Sequence, residues 1–162
     1  MTGKPATSST GVADLIAAEL AVLREFVAVL QREQTALTEG HADSLMALAE
    51  QKVRHAEQLA KLNQDRDLLL RAAGLADGNA GMQAWRSLGN LSAKTQNDLA
   101  SVIELARESR RLNELNGKLV AERMQHNQQA LNVLLSAVKQ SALYGPDGQT
   151  HVGPAGRTLG SA

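Results

Sequence analysis

Apolar residues recur at alternating three- and four-residue intervals along most of the chain, the period of helices packed side by side. Ile16, Leu20, Leu23, Val27, Leu30, Gln34 and Leu37 form one seam, and Leu or Ile returns every seventh residue at 16, 23, 30 and 37. That is a coiled-coil or long-bundle pattern. Leu15, Val22, Phe26 and Val29 widen the apolar face, so this first helix should touch two neighbours. Its polar face reads as Glu19, Glu25 and Glu33 with Arg24 and Arg32. Such a face lacks the basic excess of a helix lying on a membrane surface, which is the competing reading. Gly40 can take the left-handed conformation that closes a helix, and Asp43 or Ser44 is placed to start the next. A connection this short makes the two helices antiparallel neighbours.

The second helix repeats the spacing at Leu45, Leu48, Lys52, His55, Leu59, Leu62, Arg66, Leu69 and Ala73, with Met46, Ala49, Val53, Ala56 and Ala60 beside it. Two readings fit the polar entries Lys52 and Arg66. They lay aliphatic stems on the bundle with their charges in solvent, or they set register against carboxylates on a neighbour. Gly74 ends the helix, Leu75 to Gly81 reads as a loop, and Met82 to Leu88 as a short helical turn. Trp85 there should plug the end of the bundle; a cofactor role for a lone Trp is the weaker alternative. Asn90 or Ser92 can cap a proline-free helix from Ala93 to about Leu143. Its seam runs through Thr95, Leu99, Val102 and Ala106, then Asn113, Asn116, Val120, Arg123 and Asn127, and is apolar again at Leu131, Leu134 and Val138, with Leu135 alongside.

Length changes the picture. At about 1.5 Å per residue the first two helices are roughly 45 Å long and the third roughly 75 Å. Either the third helix bends or its end projects. Gly117 is a natural weak point, since mid-helix glycine costs about 1 kcal/mol relative to alanine; it serves close packing, a bend or loosening. Between Lys118 and Ala142 the formal charges are Lys118, Glu122, Arg123 and Lys139. An apolar stripe with so few charges needs a partner, either a second copy or another protein. Asparagines in a seam ordinarily set register at a cost in stability; the alternative for Asn113 and Asn127 is hydrogen bonding to an incoming peptide. The expected architecture is all-α: an antiparallel three-helix bundle or coiled coil over residues 12–144, with a long third helix. Residues 1–11 and the glycine-rich 145–162 are expected to be flexible.

Composition narrows the function classes. The 162 residues carry 17 basic and 17 acidic side chains, which removes the electrostatic drive for nucleic-acid binding. Aromatic residues make up 2%, too few for stacking platforms, and the core must be aliphatic. There are no cysteines, so neither a disulfide framework nor thiol chemistry. Asp14 and Glu19 interrupt any signal-peptide-like core, and no run reaches the roughly 18 apolar residues of a membrane span. A cytoplasmic protein without stable membrane insertion is expected. His41, His55, His126 and His151 fall in a turn, a seam, a helix and a tail. No glutamate has a histidine three residues later, as di-iron bundles require. Phosphate loops, zinc spacings and nucleophile motifs are missing. The expectation is no enzyme, no metal and no cofactor.

Several pieces occur in an order that resembles the FlgN family of bacterial flagellar export chaperones. LTEGHADSLMALAEQKVRHAEQL at 37–59 is similar to the family's hinge and second helix, and DRDLLLRAAGL at 65–75 closes that helix. Trp85, Leu88 and Leu91 precede the third helix. RRLNELNGKLV at 110–120 resembles an Asn-x-x-Asn-Gly element, here Asn113, Asn116 and Gly117, and ALYGPDGQT at 142–150 a terminal Leu-Tyr-Gly segment. The resemblance spans about residues 12–150.

It implies a cytoplasmic chaperone for type III export. Such proteins bind the C-terminal helical segments of the hook-associated junction proteins, prevent early assembly and deliver them to the export gate. The implied substrate site lies in the later part of the third helix. With the Asn-x-x-Asn-Gly element it comprises Asn113, Asn116, Gly117, Val120, Met124, Asn127, Leu131, Leu134, Leu135 and Val138. Tyr144 is implied in docking to the gate. The competing reading is a structural coiled-coil protein whose stripe pairs with a second copy, a homodimer when free.

Overall fold

The computed structural model describes the backbone at residues 6–89 and 91–143, and side chains at 11–89 and 91–140. Among the described residues four helices follow in order: α1 (Ala6–Glu39), α2 (Ala42–Ala72), α3 (Gly78–Ser87) and α4 (Ala93–Leu143). The described residues contain no strand. The fold is the expected all-α, bundle-like one, with α4 as the long helix. The chain divides into two units, Met1–Leu119 and Val120–Ala162.

In the first unit α1 is the central element. Val12, Ile16, Leu20 and Leu23 pack with Leu70 of α2, Met82 and Trp85 of α3, and Leu99 and Val102 of α4. Further along, Val27 and Leu30 meet Leu112 of α4, while Val29 and Ala36 meet Leu48 of α2. The widened apolar face therefore does touch two neighbours. α1 begins at Ala6, inside the stretch expected to be flexible. Val12, only 1% exposed, belongs to the core and gives this end of the helix something to pack on.

The α1–α2 turn is built as expected. Gly40 has φ 86°, and the Gly40 and His41 amides both donate to the Ala36 carbonyl, which satisfies an otherwise orphaned group at the helix end. The start of α2 differs from expectation. His41 occupies the N-cap position without a side-chain cap, and Asp43 lies in the first turn, where its charge still complements the helix dipole. Gly74 follows the C-cap of α2, Ala73.

The stretch Leu75–Gly81 was expected to be loop throughout, but α3 starts at Gly78. Two local features allow this. The Gly78 amide donates to the Asp67 carboxylate on α2, so an acidic side chain from another helix serves this N-terminus. Gly81 lies so close to the chain that a Cβ would fall 1.7 Å from the Ala76 carbonyl oxygen, an approach only glycine permits. Trp85, 4% exposed, fills the end of the core as anticipated. Ser92 caps α4: its Oγ accepts from the Thr95 amide.

The register of α1 against α2 is marked by two ion pairs. Glu19 pairs with Arg66, and Glu33 with Lys52 at 3.0 Å. Both pairs lie two heptads apart on both helices. Glu19 and Glu33 are buried, which corrects their assignment to a solvent-facing side. α1 is surrounded too widely to keep them in water. Lys52 and Arg66 thus follow the register reading rather than the solvent-facing one.

Candidate functional site

The second unit contains the distal part of α4, a helix of good formers without proline. Local side-chain bonds decorate it: Gln128 Nε2 donates to Asn132 Oδ1 at 3.2 Å and Ser136 Oγ to the Asn132 carbonyl at 2.8 Å. From Val120 to Gln140 no side chain is buried, and only Arg123 is half-buried. Val120, Met124, Leu131, Leu134, Leu135 and Val138 are 41–68% exposed. Asn127 is also exposed. At their spacing these residues share one face of the helix, so the structure presents them together as an open apolar stripe. Val133, off this line, is equally open at 68%.

The Asn-x-x-Asn-Gly element is split by the fold. Asn113 is exposed, whereas Asn116 is 1% exposed. The Asn116 amide nitrogen donates to the Leu30 carbonyl at 2.9 Å and to Glu33 Oε2 at 2.7 Å. The Glu33 carboxylate also receives Lys52, whose Nζ reaches both oxygens at 3.0 and 3.1 Å. Three helices therefore meet at one polar joint. The amide orientation follows from its partners, since a flipped amide would set oxygen against both acceptors. Asn116 Oδ1 is buried without a partner among the described residues. In this fold Asn116 faces the interior of its own unit and not the open stripe. Gly117, the next residue, is exposed and helical. Tyr144 lies outside the described residues.

The burial pattern also moves the α4 seam. The expected line passed through Ala106, Asn113 and Val120, but the most buried positions are Thr95, Leu99, Val102, Ser109, Leu112 and Asn116. Thr95, Leu99, Val102 and Asn116 lie on both lines, and Leu112 takes the buried place expected of its neighbour Asn113. Leu105, Leu112 and Leu119, seven residues apart, carried that signal.

Burial pushes the Glu19 carboxyl above the usual carboxylate range, against the pull of the neighbouring Arg66 charge and hydrogen bond. This pair sits inside the helix packing, where it joins α1 to α2. A cleft of about 400 Å³ lined by Arg86, Gly89, Leu91, Gln96, Asn97 and Leu99 holds no carboxylate, histidine or nucleophile. Among the described residues no group of three His, Asp or Glu could hold a metal ion, and no helix is long and apolar enough to cross a membrane. A second exposed strip, Met46, Ala49, Val53, Ala56 and Ala60 on α2, was visible in the sequence beside the seam and is open to solvent in the fold. What the arrangement offers is helix-to-helix contact along an apolar face.

The model of one protein family, described as FlgN protein, matches residues 1–151. No curated protein and no solved structure matched the chain.

Proposed function

The chain belongs to the FlgN family, a family of flagellar export chaperones, and we propose that its cargo is the C-terminal helical segments of the flagellar hook-associated proteins. In this reading it acts in the cytoplasm, holds those segments apart until export, and passes them to the type III export gate. The observation that carries the reading is the open stripe of Val120, Met124, Leu131, Leu134, Leu135 and Val138 on α4.

The physical argument is one of matched needs. An amphipathic segment that assembles with its neighbours must be kept from doing so early. Laid along α4, its apolar face is covered by aliphatic side chains that are themselves otherwise wet. Each well-buried aliphatic side chain contributes roughly 1.5–3 kcal/mol before ordering costs. Three or four suffice for micromolar or tighter binding after those costs. The scarcity of charge on this part of α4 fits an apolar partner helix better than an ionic one. Asn127 interrupts the stripe with an amide that can bond to cargo, and the exposed Asn113 offers a second. Tyr144, immediately after the last residue of α4, is the contact assigned to the gate.

The test is calorimetric titration of the full chain with a C-terminal peptide of a hook-associated protein, with light scattering on the same samples. Saturable binding near one to one supports the chaperone reading. Absence of binding, with a dimer that persists on dilution, favours the self-associating coiled coil, in which the stripe pairs with a second copy.

A further inference from the structure

We infer that Asn116 and Gly117 form an anchor followed by a flexible joint, so that α4 opens and bends at Gly117 while the helix before it stays fixed. Four observations converge on this pair. Asn116 is the last buried residue of α4 among those whose side chains are described, tied by its amide to Leu30 and Glu33 of α1. Gly117 comes directly after it, and a Cβ built there meets nothing within 4 Å. Close packing is therefore not why glycine stands here. Nor is turn geometry, because Gly117 is absent from the positive-φ glycines Gly40, Gly74, Gly78 and Gly89 and the helix continues through it. What remains is the intrinsic effect of glycine, the weakest helix former after proline.

Burial supplies the asymmetry. Before Gly117, α4 has packing partners on α1. After it, Lys118 is exposed, Leu119 half-buried and every side chain from Val120 to Gln140 open or half-open. The division between the chain's two units falls just beyond, between Leu119 and Val120. Where burial of the side chains ends, local opening of the helix is easiest. A glycine at that boundary concentrates the opening at one turn. Its use rests on the chaperone reading: a joint here lets the stripe take up a range of directions when cargo engages, without disturbing the core.

The variant that tests the joint is Gly117→Ala, since alanine fits the open space. Hydrogen exchange of the full chain should slow about five-fold at the amides of residues 117–121, the equilibrium equivalent of the glycine-to-alanine propensity difference. The amides of Leu99–Leu112 should be unchanged. The cysteine-free sequence also allows clean spin labelling at Ala49→Cys and Gln129→Cys, both exposed. The distance distribution between these labels should narrow in Gly117→Ala, while a control pair at Ala49→Cys and Arg110→Cys stays as it was. The joint is overturned if exchange at 117–121 does not slow, if slowing spreads equally through Leu99–Leu112, or if the distribution keeps its width. Peptide titration of the parent chain separates the two ideas: exchange and label distances that do not respond to Gly117→Ala, with intact peptide binding, remove the joint alone, and a response without peptide binding removes the cargo reading alone.

Discussion

Asn113 and Asn116 look alike in the sequence, three residues apart in one element, and the structure predicts opposite consequences for them. In Asn116→Ala the bond to the Glu33 carboxylate is lost, worth roughly 1.5–3 kcal/mol for a charged acceptor, and the bond to the Leu30 carbonyl, worth about 0.5–1.5 kcal/mol. Two gains offset part of this: the partnerless Oδ1 is removed, and alanine is the better helix former. The net expectation is a loss of about 1–3 kcal/mol. Asn113 is exposed, and Asn113→Ala should stay within about 0.5 kcal/mol of the parent. Asn116→Asp sharpens the contrast. It keeps the size, removes the donors and sets a carboxylate against Glu33 where the amide now sits at 2.7 Å. A buried charge of the wrong sign should cost about 3–5 kcal/mol. The new carboxyl should titrate higher in the folded chain than in the unfolded one. Its penalty should therefore be largest at neutral pH and shrink as pH falls through that raised value. Guanidinium unfolding followed by the single Trp, Trp85 in the core of the same unit, reads these differences directly. Equal stability of Asn113→Ala and Asn116→Ala, or an Asn116→Asp variant insensitive to pH, would refute the three-helix joint.

Leu134 is 63% exposed, so Leu134→Asp should leave helical content and unfolding midpoint nearly unchanged and weaken cargo-peptide binding about ten- to hundred-fold; undiminished affinity in calorimetry would move the interface elsewhere. For Tyr144→Ala, cargo binding should survive while binding to the export gate or export itself falls, and equal loss of both would assign Tyr144 to the cargo site or the fold. Glu19 has its folded-state pKa raised by burial, so it binds a proton more readily in the folded chain than in the unfolded one. Its contribution to stability is fully present below the unfolded value and lost as pH rises through the folded one. Parent stability, relative to Glu19→Gln, should therefore improve from pH 7 towards pH 4, and superimposable pH profiles in denaturant titrations would contradict the burial argument.

The helices themselves were legible because each carried redundant marks. Gly40 and Gly74 close α1 and α2, Ser92 caps α4, and the seven-residue return of Leu and Ile on α1 identifies the central face. Errors arose where one rule competed with another. Gly78 and Gly81 read as breakers because single-chain propensity says nothing of Asp67, eleven residues away, receiving the Gly78 amide. Glu19 and Glu33 read as surface because charge usually is. Yet their two-heptad spacing is matched by Arg66 and Lys52 across an antiparallel pair, and that match was available in the sequence. Asn116 was the hardest to read. It lay on the expected seam together with Asn113, and spacing alone did not separate the two, although Leu112, with Leu105 and Leu119 at seven-residue intervals, pointed to the buried place next to Asn113.

The open stripe shows the converse. Val120, Asn127, Leu131, Leu134, Leu135 and Val138 stood out by spacing and the family resemblance singled out the same region; all are exposed in the fold, so burial does not overrule periodicity there. The same simplicity makes its partner less specific than its position. Aliphatic side chains at three- and four-residue intervals ask for another apolar helix, and distinctions among such helices come from polar punctuation. Within Val120–Val138 the seam carries two polar residues, the charged Arg123 and the amide Asn127, and the amide is the one set among the exposed aliphatic side chains. If cargo is chosen from among similar apolar helices, the choice should therefore depend on what faces Asn127, in the same way that Asn116 fixes α4 against the polar atoms of α1.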